Sequence, residues 1–281
     1  MGFLLARMGA RDFARLSRFV YERSKIALPE HKRSMLEARL RKRLRALGLD
    51  SFEAYCDRVL RPQGNEDEAV HLIDAVTTNK TSFFREASQL EFLAREILPT
   101  FRRDRSALRQ LRLWSAGCAT GEEAYSLAMV VTEVTSAWGP VNAVVLGTDI
   151  STRALAIAAR AMYPEDSGGA VPASYRKRYL RRGREGHEGL VRVASEVREL
   201  VRLHWLNLAR DDFQIRQIFD VIFCRNVLIY FDRVTQERVI RRLVEQLTPD
   251  GYLVVGLSET LSRMDARVRQ VGPMIYRKAV S

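Results

Sequence analysis

Residues able to do chemistry gather at three places in this 281-residue chain. The first is Ser115-Ala116-Gly117-Cys118-Ala119-Thr120-Gly121, small side chains only, followed at once by Glu122 and Glu123. Small residues let a backbone approach a bound molecule closely, and a helix beginning there offers N–H groups not yet used. The two carboxylates would repel a pyrophosphate, and the run lacks both the GxGxxG spacing and the lysine of a phosphate-binding loop. A nucleotide-like ligand here is uncharged or cationic near the glutamates, which suits S-adenosylmethionine better than NAD or ATP. An ordinary strand-to-helix connection is the alternative. The second place is Asp149, about 30 residues past the glycines, where an acid can accept hydrogen bonds from ribose hydroxyls. It could equally cap the helix expected over 151–161. The third is Arg225-Asn226, at the end of an apolar run.

No serine–histidine–acid set stands out, and His31, His71, His187 and His204 are scattered. Cys56, Cys118 and Cys224 form no CxxC or Cys/His cluster, so neither a metal site nor a disulfide framework is indicated. The chemistry therefore needs no general base, as when a ready-made nucleophile attacks an activated methyl group.

These residues need elements to hold them. Residues 111–114, 141–149 and 252–257 read as buried strands, 219–231 as a buried strand running into a polar turn, the segments 122–134 and 234–247 as helices, 249–251 as a turn, and 272–278 as a closing edge strand. The alternation predicts an α/β fold, a parallel sheet with helices on both faces and ligand beyond the carboxyl ends of the central strands. Residues 163–200 break that rhythm and end in alternating segments, so a small β insertion is expected there.

Before residue 111 no strand pattern occurs, and residues 10–80 read as a small helical domain. Leu36, Leu40, Leu44 and Leu47 form one stripe, Gly48 a C-cap, and Asp50 or Ser51 the next helix start. A loop is expected at 61–65, a helix at 87–98 ending at Pro99, and a basic connector at 102–112. Opposite the leucine stripe lie Arg41, Lys42 and Arg45, with Arg39 at its flank, either a solvated face or a docking site for an acidic surface. The net charge of +12 asks for an acidic partner. No apolar run reaches the ~18 residues of a membrane span and no signal peptide is evident, so a cytoplasmic setting is expected.

The set TTNKTSFFRE, WSAGCATGEEAYS, GTDIS, HEGLVRV, FCRNVLIYF and LTPDGYLVVG, in this order, resembles the chemotaxis receptor methyltransferases, the CheR family. The resemblance runs from about residue 12 to 278. It implies a small all-helical N-terminal domain (1–76), a linker (77–86) and a Rossmann-like S-adenosylmethionine-dependent methyltransferase domain (87–281) with an inserted antiparallel β-subdomain at about 170–200. It implies methyl-ester formation on glutamate side chains of the cytoplasmic helices of chemoreceptors, with S-adenosylhomocysteine as product. Asn79, Thr81, Arg85, Glu123, Asp149, Asn207, Leu208, Arg225 and Asn226 would contact the cofactor, whether Glu122 or Glu123 does so being left open by spacing. Arg85 and Tyr230 would serve the reacting end, Phe83 and Phe84 would pack the domain junction, and Arg39 and Arg45 match positions that serve receptor recognition. The β-subdomain resembles those that tether to a receptor C-terminal peptide, a structural hairpin being the alternative. The expected protein is a monomer without metal, nucleic acid or membrane insertion. A non-catalytic S-adenosylmethionine sensor is the rival reading. A nucleic-acid methyltransferase fits less well, because CRNVLIYF stands where a base methylase would carry an (N/D)PP(Y/F) loop.

Overall fold

The computed structural model describes residues 7–61, 66–103, 110–138, 142–184, 186–259, 261 and 267–279. Residues 1–6, most of the loop expected at 61–65, most of the connector expected at 102–112 and the first residue of the strand expected from 141 lie outside the described residues.

Four helices, α1 (Ala10–Ser24), α2 (Arg33–Leu47), α3 (Phe52–Val59) and α4 (Glu66–Val76), close round a core of Leu16, Val20, Leu36, Leu40, Leu44, Phe52 and Tyr55. Gly48 takes the left-handed conformation (φ 66°) that ends α2, and of the two candidate starts for α3 it is Ser51 whose hydroxyl accepts the Ala54 N–H. The linker follows. Next comes one long helix built of α5 (Ala87–Phe92), a π-helical turn at Leu93–Ile97 and α6 (Leu98–Arg103). Pro99 does not end this helix as expected. The backbone widens just before it, which accommodates a residue with no N–H to give.

The larger unit is a seven-stranded sheet flanked by helices. Its strands are β1 (Leu111–Ala116), β2 (Ala143–Asp149), β6 (Val201–Trp205), β7 (Phe219–Cys224), β8 (Leu247–Val255), β9 (Val268–Gly272) and β10 (Ile275–Lys278), in the order β6-β2-β1-β7-β8-β10-β9. The first five run parallel and β10 is antiparallel to both neighbours. The helices α7 (Glu122–Thr135), α8 (Thr152–Arg160) and α11 (Arg233–Glu245) alternate with the strands, as the expected α/β fold requires. A second sheet of β3 (Met162–Pro164), β5 (Leu190–Val193) and β4 (Leu180–Arg182), with the short helix α9 (Ala173–Tyr179), forms the antiparallel insertion. A last short helix, α10 (Ser195–Arg198), leads back to the main sheet.

Four local expectations are corrected. The alternating 201–205 segment belongs to the main sheet, where β6 pairs with β2 along its whole length, and not to the insertion. β8 begins at Leu247 and absorbs the Pro249-Asp250-Gly251 turn as an irregularity, with Asp250 at φ 63°. Residues 272–278 are not one edge strand: a turn at Pro273-Met274 makes a hairpin, in which β10 is internal and β9 is the edge. β7 ends at Cys224, so Tyr230 is not in a buried strand but in a 3-10 turn, Leu228–Tyr230.

The helical domain is fastened to the larger unit by polar contacts. Buried Asp74 of α4 accepts from the Ser151 hydroxyl (2.6 Å) and the Thr152 hydroxyl (2.8 Å) at the start of α8. Asn207 donates to the Arg23 carbonyl (2.8 Å), and the Tyr21 hydroxyl to Asp232 (2.5 Å).

Candidate active site

β1 sends its connection to β2 on one side, while β7 lies on its other side, so the carboxyl ends of β1 and β7 flank the topological switch point of the sheet. A cavity of ≈ 530 Å³ opens there. The glycine turn forms its floor. The N–H groups of Gly117 and Cys118 both donate to the Thr148 carbonyl (2.7 and 2.8 Å), folding the turn over the end of β2. Gly117 sits at φ 85°, and a Cβ there would lie 2.4 Å from a Val227 methyl, so both backbone and space demand glycine.

Asp149 lines the cavity at the end of β2. One carboxylate oxygen accepts from the Ala119 N–H (2.9 Å) and the other from the Ser151 N–H (2.8 Å). Burial raises its pKa above the usual aspartate value, an effect these amides oppose only in part. The helix-cap alternative for Asp149 falls away, because the Ser151 hydroxyl caps α8 by accepting from Ala154.

The two glutamates are separated by the helix. Glu123 lines the cavity, whereas Glu122 does not and accepts from the Thr120 hydroxyl (2.6 Å), its carboxyl raised by burial. Glu123 is held from two sides, by the Ser115 hydroxyl (2.6 Å) and by Nε of Arg225 (2.7 Å). This ion pair is deeply buried, with side-chain exposures of 9% and 2%. Arg225 also donates to the Arg85 carbonyl (2.7 Å) and to Oε1 of Gln89 (3.1 Å), and so ties β7 to α7 and to the linker.

The linker contributes Asn79, Thr81 and Arg85 to the cavity wall. Asn79 accepts from the Thr77 hydroxyl (3.2 Å), and Arg85 donates to the Lys80 carbonyl (3.3 Å) with no acidic partner among the described residues. Phe84 and Glu86 stand at φ 51° and 54°, while Phe83 packs edge-on against Tyr163 of β3 and Phe84 against Tyr175 of α9. Opposite lie Asn207 and Leu208, just past β6, with Ile26 and Ser24 of the helical domain completing that wall. Asn226 (φ 57°) and Tyr230 close the remaining side, and the Tyr230 hydroxyl has no hydrogen-bond partner among the described residues.

Four residues expected to dock an acidic surface do not share one exposed face. Arg39 is turned inward, donating to the carbonyls of Ala75 (3.0 Å), Val76 (3.2 Å) and Thr77 (2.8 Å), where it caps the end of α4 at the root of the linker. Arg41 pairs with Glu37 at 2.5 Å. Lys42 and Arg45 remain exposed.

Sequence reasoning missed two organising groups. Gln89 is buried and donates to the Val255 carbonyl (2.8 Å) while accepting from Arg225. Buried Glu259 accepts from the N–H groups of Asn226 (2.8 Å), Gly256 (2.8 Å) and Ile229 (3.3 Å). An acid just past the apolar run 252–257 was the available signal for Glu259; Gln89 left none.

The profile described as CheR methyltransferase, all-alpha domain, matches residues 11–77, and that described as CheR methyltransferase, SAM binding domain, matches residues 79–276. The chain belongs to the CheR methyltransferase family. A chemotaxis protein methyltransferase of Escherichia coli is 39% identical over 264 residues, covering 94% of this chain and 89% of that one. Chemotaxis protein methyltransferase 2 of Pseudomonas aeruginosa is 37% identical over 268 residues, covering 95% and 93%.

The cofactor of this family domain is S-adenosylmethionine, and the cavity residues fit it. No lysine or arginine stands at the start of α7, where a phosphate would need one, and the carboxylates of Asp149 and Glu123 border the space instead. Leu206 and Leu208 offer apolar surface for a flat base. Among the described residues no helix is long and apolar enough to cross a membrane.

Proposed function

We propose that this chain methylates glutamate side chains on the cytoplasmic helices of chemoreceptors, forming methyl esters. One observation supports this acceptor above others: the residues lining the cavity include no histidine, and both acids there are already committed, Glu123 to Arg225 and Asp149 to backbone amides. An acceptor that must first lose a proton would find no base. A glutamate arrives already ionised at neutral pH. When bound, S-adenosylmethionine would supply an electrophilic methyl for transfer to a carboxylate oxygen, with S-adenosylhomocysteine as the leaving product.

The chain's own residues then bind and align. Asp149 takes the ribose hydroxyls, Asn207 and Leu208 flank the base, and Asn79, Thr81 and Asn226 shape the amino-acid end, with Glu123 and Arg225 as its rigid wall. Arg85 orients the incoming carboxylate through a forked pair, and the Tyr230 hydroxyl lies beside the transferring group. On this reading residues 1–76 engage the receptor, 77–86 link, 87–281 carry out transfer, and the small sheet of the insertion, whose outer strands β3 and β4 each pair on one side only, accepts a receptor C-terminal peptide as an added strand.

The deciding experiment incubates the protein with methyl-labelled S-adenosylmethionine and receptor-enriched membranes and assays base-labile methyl esters. Binding of the cofactor without any ester would leave a sensor. Asp149→Ala should weaken cofactor binding by about 1–3 kcal/mol through lost ribose hydrogen bonds, and calorimetry showing wild-type affinity in the folded variant would remove Asp149 from the site. For receptor engagement by α2, Lys42→Glu with Arg45→Glu is the informative reversal, since reversing Arg39 would strip the cap from α4. The double variant should lower receptor methylation and flatten its dependence on salt, these being exposed charges screened over roughly 8–10 Å. An unchanged rate and salt profile would make α2 a solvated face.

A further inference from the structure

Three large apolar side chains, on the turns after β7 and β8 and at the start of α11, are left uncovered by the fold. Ile229, which lines the cavity, is 54% exposed, Leu257 just past β8 is 51% exposed, and Val234 in the first turn of α11 is 75% exposed. These are not loose loop tips. The turn after β7 and the turn after β8 are stapled together by the buried carboxylate of Glu259, which takes the Asn226 and Ile229 N–H groups from one and the Gly256 N–H from the other. Asp232, between Ile229 and Val234, caps α11 through the Thr235 N–H and holds the Tyr21 hydroxyl of α1. Large apolar groups held rigid and exposed beside a polar cavity mark a contact surface rather than an accident of folding.

Two cations at this cavity remain available to an incoming acid. Lys80 and Arg85 line the cavity and have no acidic partner among the described residues. A surface of isoleucine, leucine and valine bordered by unpaired cations complements a helix with one apolar stripe and carboxylates beside it, since residues three and four apart on a helix share a face.

We propose that Ile229 and Leu257, with Val234, form the seat for the apolar side of the acidic amphipathic helix that presents the accepted carboxylate, so that these residues select which carboxylate reaches Arg85. The inference rests on the receptor-methylating reading above and adds to it the surface that fixes the acceptor's register. Glu259 is a positioning residue for this seat, acting through the backbone of the two turns.

The test measures methyl-ester formation against the concentration of a purified helical cytoplasmic fragment of a chemoreceptor. Leu257→Ser and Val234→Ser should each raise KM for the fragment about fivefold or more with kcat little changed, and the pair should raise it further. Leu257→Met should restore a near-wild-type KM, and cofactor affinity of Leu257→Ser by calorimetry should match wild type. An unchanged KM in the serine pair, with normal transfer by the wild type, overturns the seat and leaves the acceptor assignment standing. Loss of cofactor affinity in Leu257→Ser also overturns it, because the side chain would then be supporting the cavity. No ester from the wild type on any receptor fragment overturns both.

Discussion

Replacing Arg225 by alanine should destabilise the fold by about 3–5 kcal/mol, because it strands the Glu123 carboxylate in the interior without its partner. Removal of the guanidinium also orphans the Arg85 carbonyl and Oε1 of Gln89, both of which accept from it. Urea denaturation followed by circular dichroism measures the shift. Arg225→Met combined with Glu123→Gln should recover much of the loss, since an uncharged pair leaves no naked ion. A single Arg225→Ala variant within about 1 kcal/mol of wild type would mean that water entry or proton uptake relieves the Glu123 carboxylate, and that the ion pair is not what locks the linker against β7.

Arg85→Ala should lower turnover by about ten- to hundredfold, the weight of a charge-assisted hydrogen bond of ~1.5–3 kcal/mol made to the carboxylate as it reacts. Cofactor affinity should fall less, because Arg85 stands at the linker side of the cavity and no neighbouring acid claims it. Tyr230→Phe should follow the same pattern with a smaller loss. Single-turnover assays at saturating cofactor separate the two quantities. Equal losses in affinity and turnover would assign both side chains to shaping the cavity alone.

The stretches that were legible are those where one physical requirement dictates residue type. The glycine turn could be read because a backbone at φ 85° pressed against Val227 tolerates nothing larger. The central parallel strands were visible as largely apolar runs, since a sheet covered on both faces buries most of their side chains. Leu36, Leu40 and Leu44 announced the buried stripe of α2 by their spacing. Misreadings arose where a local signal was outweighed at long range. A helical wheel places Arg39 on a flank but says nothing of the three carbonyls 36–38 residues away that draw it inward. Alternation in 201–205 is the mark of a half-covered strand, and β6 is half-covered because it is the edge of the main sheet. Tyr230 looked like strand because Leu228, Ile229 and Phe231 are apolar, yet Ile229 faces outward and the chain has already turned. Gln89 was invisible for a plainer reason: its partners lie 136 and 166 residues away.

Ser151 touches two acids at once, its hydroxyl donating a hydrogen bond to Asp74 of the helical domain and its N–H one to Asp149 of the cavity. The seam between the two units and the floor of the binding site are therefore one structure. Prying α4 from α8 would free Ser151 to turn and would leave Asp149 with one fewer constraint on its direction. Occupancy of the cavity and closure of the seam must then favour each other by equal free energies, as any two linked equilibria do. In this chain the small helical unit is less a passenger joined by a tether than the second jaw of a vice, and a molecule held in the cavity tightens both jaws.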